Sequence, residues 1–159
     1  MGIRYMWLDD QYSLASTNLS GDTGLFKLEA NNHLLGPDLG LELLYDVGRR
    51  VSFSGKLKGG AYLDIFRHRT ILGQNGTQFV GNENNSTNIA ASLELGANAY
   101  YRLGPNARLR GGYDALWLYN VLSAHENYPA VITPLTGFDP DDARQMTFHG
   151  VSFGIEFYR

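Results

Sequence analysis

The sequence predicts an all-β protein, an antiparallel up-and-down β-barrel of the membrane-spanning type, as a single domain over residues 1–159. Three observations carry that expectation. Apolar and polar residues alternate with period two in six long segments, short and long links alternate between them, and aromatic rings gather at the segment ends.

The first segment sets Ile3, Tyr5 and Trp7 against Arg4, Met6 and Leu8. The second, from Leu35, places Pro37, Leu39, Leu41, Leu43 and Tyr45 on one face and Asp38, Gly40 and Glu42 on the other. In the third, Val51, Phe53, Leu57, Ala61, Leu63 and Ile65 oppose Ser52, Ser54, Lys56, Lys58, Tyr62 and Asp64. The fourth is the most regular, with Ile89, Ala91, Leu93, Leu95, Ala97, Ala99 and Tyr101 against Ser92, Glu94, Asn98 and Arg102. The fifth sets Leu109, Gly111, Tyr113, Ala115, Trp117 and Tyr119 against Arg108, Arg110, Asp114 and Asn120. The sixth opposes Val151, Phe153, Ile155 and Phe157 to Ser152, Gly154 and Glu156. Period two is the strand signature, and no stretch of similar length shows a helical stripe.

Links of about four residues around Gly48 and around Gly104-Pro105 read as hairpin turns. The other three links span about 20 to 25 residues, are rich in Asn, Gly, Asp, Ser and Thr, and read as long loops. Turns on one side and loops on the other are the outer-membrane pattern, which puts the chain end on the periplasmic side. Within the first loop, Tyr12-Ser13-Leu14 and Leu25-Phe26-Lys27-Leu28 have the pattern of a hairpin extension that adds height without adding a spanning strand.

On this map Tyr45, Phe53, Tyr101 and Phe157 fall at the turn end, and Trp7, Trp117 and Tyr119 at the loop end, where rings favour a bilayer interface. The charges fall on the opposite face. A water-soluble sandwich would alternate equally well with its apolar faces packed together, but it requires neither the link asymmetry nor the aromatic placement.

Composition narrows the chemistry. No cysteine is present, which excludes a disulfide scaffold, a thiolate metal site and a cysteine nucleophile. Lys and Arg total 13 against 16 Asp and Glu, so no basic footprint for nucleic acid exists. No run of 18 apolar residues is present, which excludes a spanning helix but not spanning strands. If the chain is exported, its signal segment has been removed or lies outside these residues.

The inward face is expected to collect Arg4, Glu42, Lys56, Lys58, Glu94, Arg102, Arg108, Arg110, Asp114 and Glu156. In a narrow barrel these pair as a salt-bridged plug; in a wider one the Lys56, Lys58, Arg108 and Arg110 cluster favours anions. None of His33, His68, His125 and His149 sits in a HExxH or other ligand spacing, but His33 and His68 are candidates to meet near the loop rim with Asp64 beneath. Asp139-Pro140-Asp141-Asp142 reads as a solvated turn without the Gly and Glu of an EF-hand loop. No metal, cofactor or catalytic residue is expected.

Several stretches resemble the β-barrel porin family of planctomycete outer membranes. They are Gly2-Ile3-Arg4-Tyr5 with Leu8-Asp9, Asn32-His33-Leu34-Leu35-Gly36-Pro37-Asp38-Leu39-Gly40, and Gly55-Lys56-Leu57-Lys58-Gly59-Gly60. Arg110-Gly111-Gly112-Tyr113-Asp114-Ala115-Leu116-Trp117-Leu118 and the closing His149-Gly150 and Gly154-Ile155-Glu156-Phe157 complete the set. The resemblance implies an integral outer-membrane barrel of a Gram-negative cell, with no established substrate or reaction. Six strands are fewer than the eight of the smallest single-chain bacterial barrels, so the chain is expected to be a fragment of a larger barrel or to build one as an oligomer.

The expected function is therefore a passive pore or a structural and assembly component of the bacterial outer membrane. Its expected partners are membrane lipid and further copies or other outer-membrane subunits. Two alternatives stand beside it: a soluble or secreted β-sandwich for surface binding or self-assembly, and a barrel-embedded hydrolase using His33, Asp64 and His68.

Overall fold

The computed structural model describes residues 1–124 and 144–157, apart from the side chains of 78–82 and 144. Alternating sequence becomes six strands: β1 (Gly2–Thr17), β2 (Thr23–Val47), β3 (Val51–Gln74), β4 (Thr77–Arg102), β5 (Ala107–Val121) and β6 (Arg144–Phe157). They form one antiparallel sheet in the order β1-β2-β3-β4-β5-β6, each strand beside its sequence neighbour. The sheet is curled into a half-barrel. Its curl brings Arg4 of β1 within 2.8 Å of Glu94 on β4, across the two strands between them.

Two of the expected long loops are strand for most of their length. β1 and β2 pair from Gly2↔Asp38 to Thr17↔Thr23, leaving residues 18–22 as the link. β3 and β4 pair up to Gln74↔Thr77, leaving Asn75 and Gly76. The asymmetry of link lengths expected there is thus replaced by tall hairpins. The physical reason is that alternation continues past Leu34 with the polarity of the two faces exchanged, and the Asn and Thr content hides it. The expected pairing of Tyr12 to Leu14 with Leu25 to Leu28 is present, as Tyr12↔Leu28, Ser13↔Lys27 and Leu14↔Phe26. Asn75 and Gly76 take φ of 49° and 78°, the left-handed pair that suits a two-residue hairpin. Residues 125–143, including His125 and the Asp139 to Asp142 run, lie outside the described residues.

The hairpin tips are tied together. The Asn75 amide donates to Asp22 Oδ1 at 3.0 Å, and the Thr23 N–H donates to Asn75 Oδ1 at 2.8 Å. The Asn18 side chain also closes its own turn, accepting from the N–H groups of Ser20 and Asp22.

The core lies on the concave face toward these tips. Phe26, Leu28, Ala30, Phe66, Leu122 and Ala124 form one cluster, flanked by Tyr12 and Leu72. Leu34, Tyr62, Ala90, Leu118 and Val121 form a second, with Met6, Leu8, Leu116 and Met146 against it, so every strand contributes. Burying such side chains is the main favourable term in ordering the curl. Gly36 permits the close approach of β2 and β3: a Cβ there would sit 2.0 Å from the Ala61 carbonyl oxygen. Among the described residues, β1 pairs only with β2 and β6 only with β5, so the outer edge of each meets no other strand.

Candidate functional site

The register places the expected inward residues on one face. Glu42 lies beside Lys56, Lys56 beside Gly96, and Gly96 beside Asp114, so one row crosses four strands. Lys58 lies beside Glu94, and Arg102 beside Arg108, which in turn lies beside Glu156. Strand periodicity then turns all these side chains, with Arg4 and Arg110, to the concave surface.

Most of their charges pair, in two groups. In the first, Glu94 accepts from Arg4 at 2.8 Å and faces Lys56 Nζ at 2.6 Å. Arg4 also reaches Asp38 at 3.4 Å, and Lys56 reaches Asp114 at 2.8 Å. Gly96 makes the Lys56–Asp114 pair possible, because a Cβ there would lie 2.5 Å from Asp114 Oδ1 and 2.9 Å from Lys56 Cε. In the second group, Arg108 Nε donates to Glu156 at 2.6 Å, and Arg110 Nη1 lies 3.8 Å from the same carboxylate. The Arg108 guanidinium stands 4.3 Å over the Tyr100 ring. Arg110 Nε donates to Asn98 Oδ1 at 3.1 Å, and the Asn98 amide donates to Ser54 at 3.2 Å.

The basic cluster expected of Lys56, Lys58, Arg108 and Arg110 is therefore divided. Lys56 belongs to one ion-paired group, Arg108 and Arg110 to the other. Glu42, Lys58 and Arg102 share the face without an ion pair among the described residues. Asp38, Ser54 and Asn98 were read onto the polar face but not as site residues, and Tyr100 was not singled out from the sequence. Their common signal was parity, since each occupies the same phase of the alternation as the charged residues.

The expected meeting of His33 and His68 does not occur. His33 pairs with Ile65 and is exposed on the convex face, where Tyr5 Oη lies 2.7 Å from its Nδ1. The Trp7 and His33 rings are nearly parallel with centroids 6.2 Å apart. His68 pairs with Ala30 and is buried on the concave face, as is Asp64. An odd register offset between the histidines sends them to opposite faces. His149 joins the convex face beside Tyr113 Oη at 3.0 Å. Among the described residues no group of three His, Asp or Glu is placed to hold a metal ion.

The seven expected interface aromatics all lie on the convex face. Tyr45 pairs with Phe53, Tyr101 with Val51 and Leu109, and Phe157 with Ala107, all next to the short turns. Trp7 lies beside His33 at the other limit, and Trp117 and Tyr119 lie beside Leu93 and Ala91.

Between these limits the convex face is apolar and open. Leu39, Leu41 and Leu43 are 60%, 59% and 67% exposed, and Phe153 is 85% exposed. Above the row of Trp7, His33, Ile65 and Thr87 the two faces exchange character. There the convex side carries Lys27, Glu29, Asn31, Arg67, Arg69 and Glu83, with Lys27–Glu29 and Arg67–Glu83 ion pairs. The concave side at that height is the apolar cluster of Phe26, Leu28, Ala30 and Phe66. The same strands are thus charged inside and apolar outside over one part, and apolar inside and charged outside over the next.

No helix among the described residues is long and apolar enough to cross a membrane. In comparisons with known proteins, the chain matches no family model, no curated protein and no solved structure.

Proposed function

We propose that the chain forms wall of an integral outer-membrane β-barrel, acting as a passive pore or a structural and assembly component rather than an enzyme. The observation that carries this reading is the exchange of face polarity along β2 and β3. A sheet in water buries its apolar face throughout, as the upper part does with Phe26, Leu28 and Phe66. Where the exposed face becomes Leu, Phe and Ile and the charges turn inward, the favourable surroundings outside are hydrocarbon.

The apolar stretch of β2 from Leu35 to Tyr45 has the length a spanning strand needs, about 9 to 11 residues. Trp7 at its upper limit and Tyr45, Phe53 and Tyr101 at its lower limit fit the two interfaces. The edges of β1 and β6, unpaired among the described residues, support a larger wall completed by further strands, since unpaired backbone groups are costly in lipid. Ion pairing of most charges on the concave face favours the structural role over an anion-selective pore. Kinship with planctomycete β-barrel porins is part of the same proposal.

Heat-modifiable migration in detergent gels and retention by lipid vesicles after alkaline washing test the reading. A chain that stays monodisperse in buffer without detergent, and leaves vesicles on washing, would make it a soluble sheet instead.

A further inference from the structure

Past Val121 the chain leaves the sheet inward. β4 and β5 stop pairing at Ala91↔Tyr119, and the β5–β6 register shifts between Leu118 and Val121. Asn120 sits in that shift with φ of 63°, a left-handed conformation that asparagine tolerates better than most residues. Its side-chain amide donates to the Ile89 carbonyl at 2.7 Å, which caps β4 where the ladder ends. The inserted residue reverses the phase, so Val121, which would face outward by alternation, joins Leu118 in the concave core.

The next residues cross the concave face and are held there. Val121, Leu122, Ser123 and Ala124 are 0%, 2%, 6% and 0% exposed, and 122–124 belong to no strand. Buried irregular backbone requires partners for its polar groups. Asn32, itself fully buried on β2, supplies two: its amide donates to the Leu122 carbonyl at 2.9 Å, and its Oδ1 accepts from the Leu122 N–H at 3.2 Å. Asp10 on β1 supplies two more, accepting from Ser123 Oγ at 3.0 Å and from the Ala124 N–H at 2.9 Å. Leu122 and Ala124 fill the space among Phe26, Leu28, Ala30 and Phe66.

We infer that Leu122–Ala124 is a built-in plug, turned inward at Asn120 and latched by Asn32 and Asp10, that closes the concave channel on the hairpin-tip side. This rests on the barrel-wall reading above. It separates two functions on the concave face: the apolar plug blocks passage, while the ion pairs around Glu94 lie below it and hold the wall. Conductance then depends on release of the latch, not on the sign of the charged band.

The test uses the full chain in detergent and in planar bilayers bathed in KCl. In folded wild type the amides of Leu122 and Ala124 exchange slowly. N32A and D10A accelerate those two amides by about tenfold or more, with the amides of β3 and β4 unchanged. S54A, which removes a buried hydroxyl from the Asn98 network, serves as a comparison of equal kind away from the latch. Fast exchange of Leu122 and Ala124 in wild type, or equal acceleration by S54A, would overturn the latch.

In bilayers the N32A/D10A double variant should conduct KCl at least about twofold better than wild type. Insertion of both proteins with equal conductance overturns the plug and leaves the barrel wall standing. Failure of the wild type to enter the bilayer overturns the barrel wall and the plug together.

Discussion

Arg4 on β1 and Glu94 on β4 meet at 2.8 Å although two strands lie between them, and this contact ties the curl of the sheet to the charge pattern of its concave face. Glu94 also holds Lys56 at 2.6 Å, so one carboxylate serves two cations. Glu94→Ala leaves both cations without that partner. With their side chains 18% to 31% exposed, water recovers part of the loss, and the cost is about 1–3 kcal/mol. Tryptophan-monitored urea unfolding of the detergent-folded chain measures it. Arg4→Met combined with Glu94→Ala should cost less than the sum of the singles, and strict additivity would show the contact to be energetically silent.

Leu41 pairs with Leu57 in the middle of the apolar convex belt. In lipid vesicles Leu41→Arg should lower folding stability by about 2–4 kcal/mol. Arg67→Leu, above the belt, removes a charge from a region already in water and should change it by less than about 0.5 kcal/mol. Folded fraction against urea, scored by heat-modifiable migration, distinguishes them. Equal small effects at both positions would mean that the belt does not contact hydrocarbon.

Gly36 leaves no room for a methyl group, because a Cβ would overlap the Ala61 carbonyl and lie 2.8 Å from the Tyr62 Cα. Backbone atoms cannot turn aside, so Gly36→Ala forces β2 and β3 apart and should cost about 1–3 kcal/mol. Gly150→Ala on β6 meets nothing within 4 Å and should be nearly neutral. Thermal or urea unfolding of the two variants side by side reads the difference, and a neutral Gly36→Ala would refute the close approach.

The tip of the first hairpin should loosen in acid. Hydrogen bonds from Asn18 and then Asn75 hold the Asp22 carboxyl below its ordinary value of 3.8. A depressed carboxylate contributes its stabilisation fully above the unfolded-state value and loses it as pH falls through the lower folded-state value. The link between the two hairpin tips is therefore intact at neutral pH and released only below about 3.8. The protection factor of the Thr23 amide, which donates to Asn75, followed from pH 6 to pH 2 should fall in that window once the intrinsic pH dependence of exchange is divided out. Asp22→Asn should abolish the pH step, and a step surviving in that variant would place its origin elsewhere.

Much of the sheet was legible because a strand repeats every two residues, so Val51 through Ile65 and Ile89 through Arg102 declare both their conformation and their faces without knowledge of neighbours. The site residues Lys56, Glu94, Asp114, Arg108 and Glu156 were placed on one face by that parity alone. Which of them pair was not legible, since Lys56 chooses Glu94 and Asp114 through a register and a glycine gap at Gly96 that belong to the assembled sheet. The extension of β3 and β4 reads as a loop, and that of β1 and β2 was legible only where Tyr12 to Leu14 meets Leu25 to Leu28, because polar residues, Asn, Ser and Thr above all in β4, break up the apolar alternation. Their pairing rests on long-range hydrogen bonding, and the Asn75-Gly76 dipeptide was the overlooked local signal.

By itself the sequence determined the antiparallel strands, the division of charged from apolar faces between Leu35 and Tyr45, and the aromatic limits of the belt. These follow from local alternation, which sterics convert directly into faces of a pleated sheet. Only the tertiary structure decided that His33 and His68 part to opposite sides, that the faces exchange polarity above the Trp7 row, and that Asn32 reaches Leu122. Each depends on where a curled sheet brings residues that are far apart in the chain. No local periodicity carries that distance, because it is set by register, by curl and by the inward turn at Asn120.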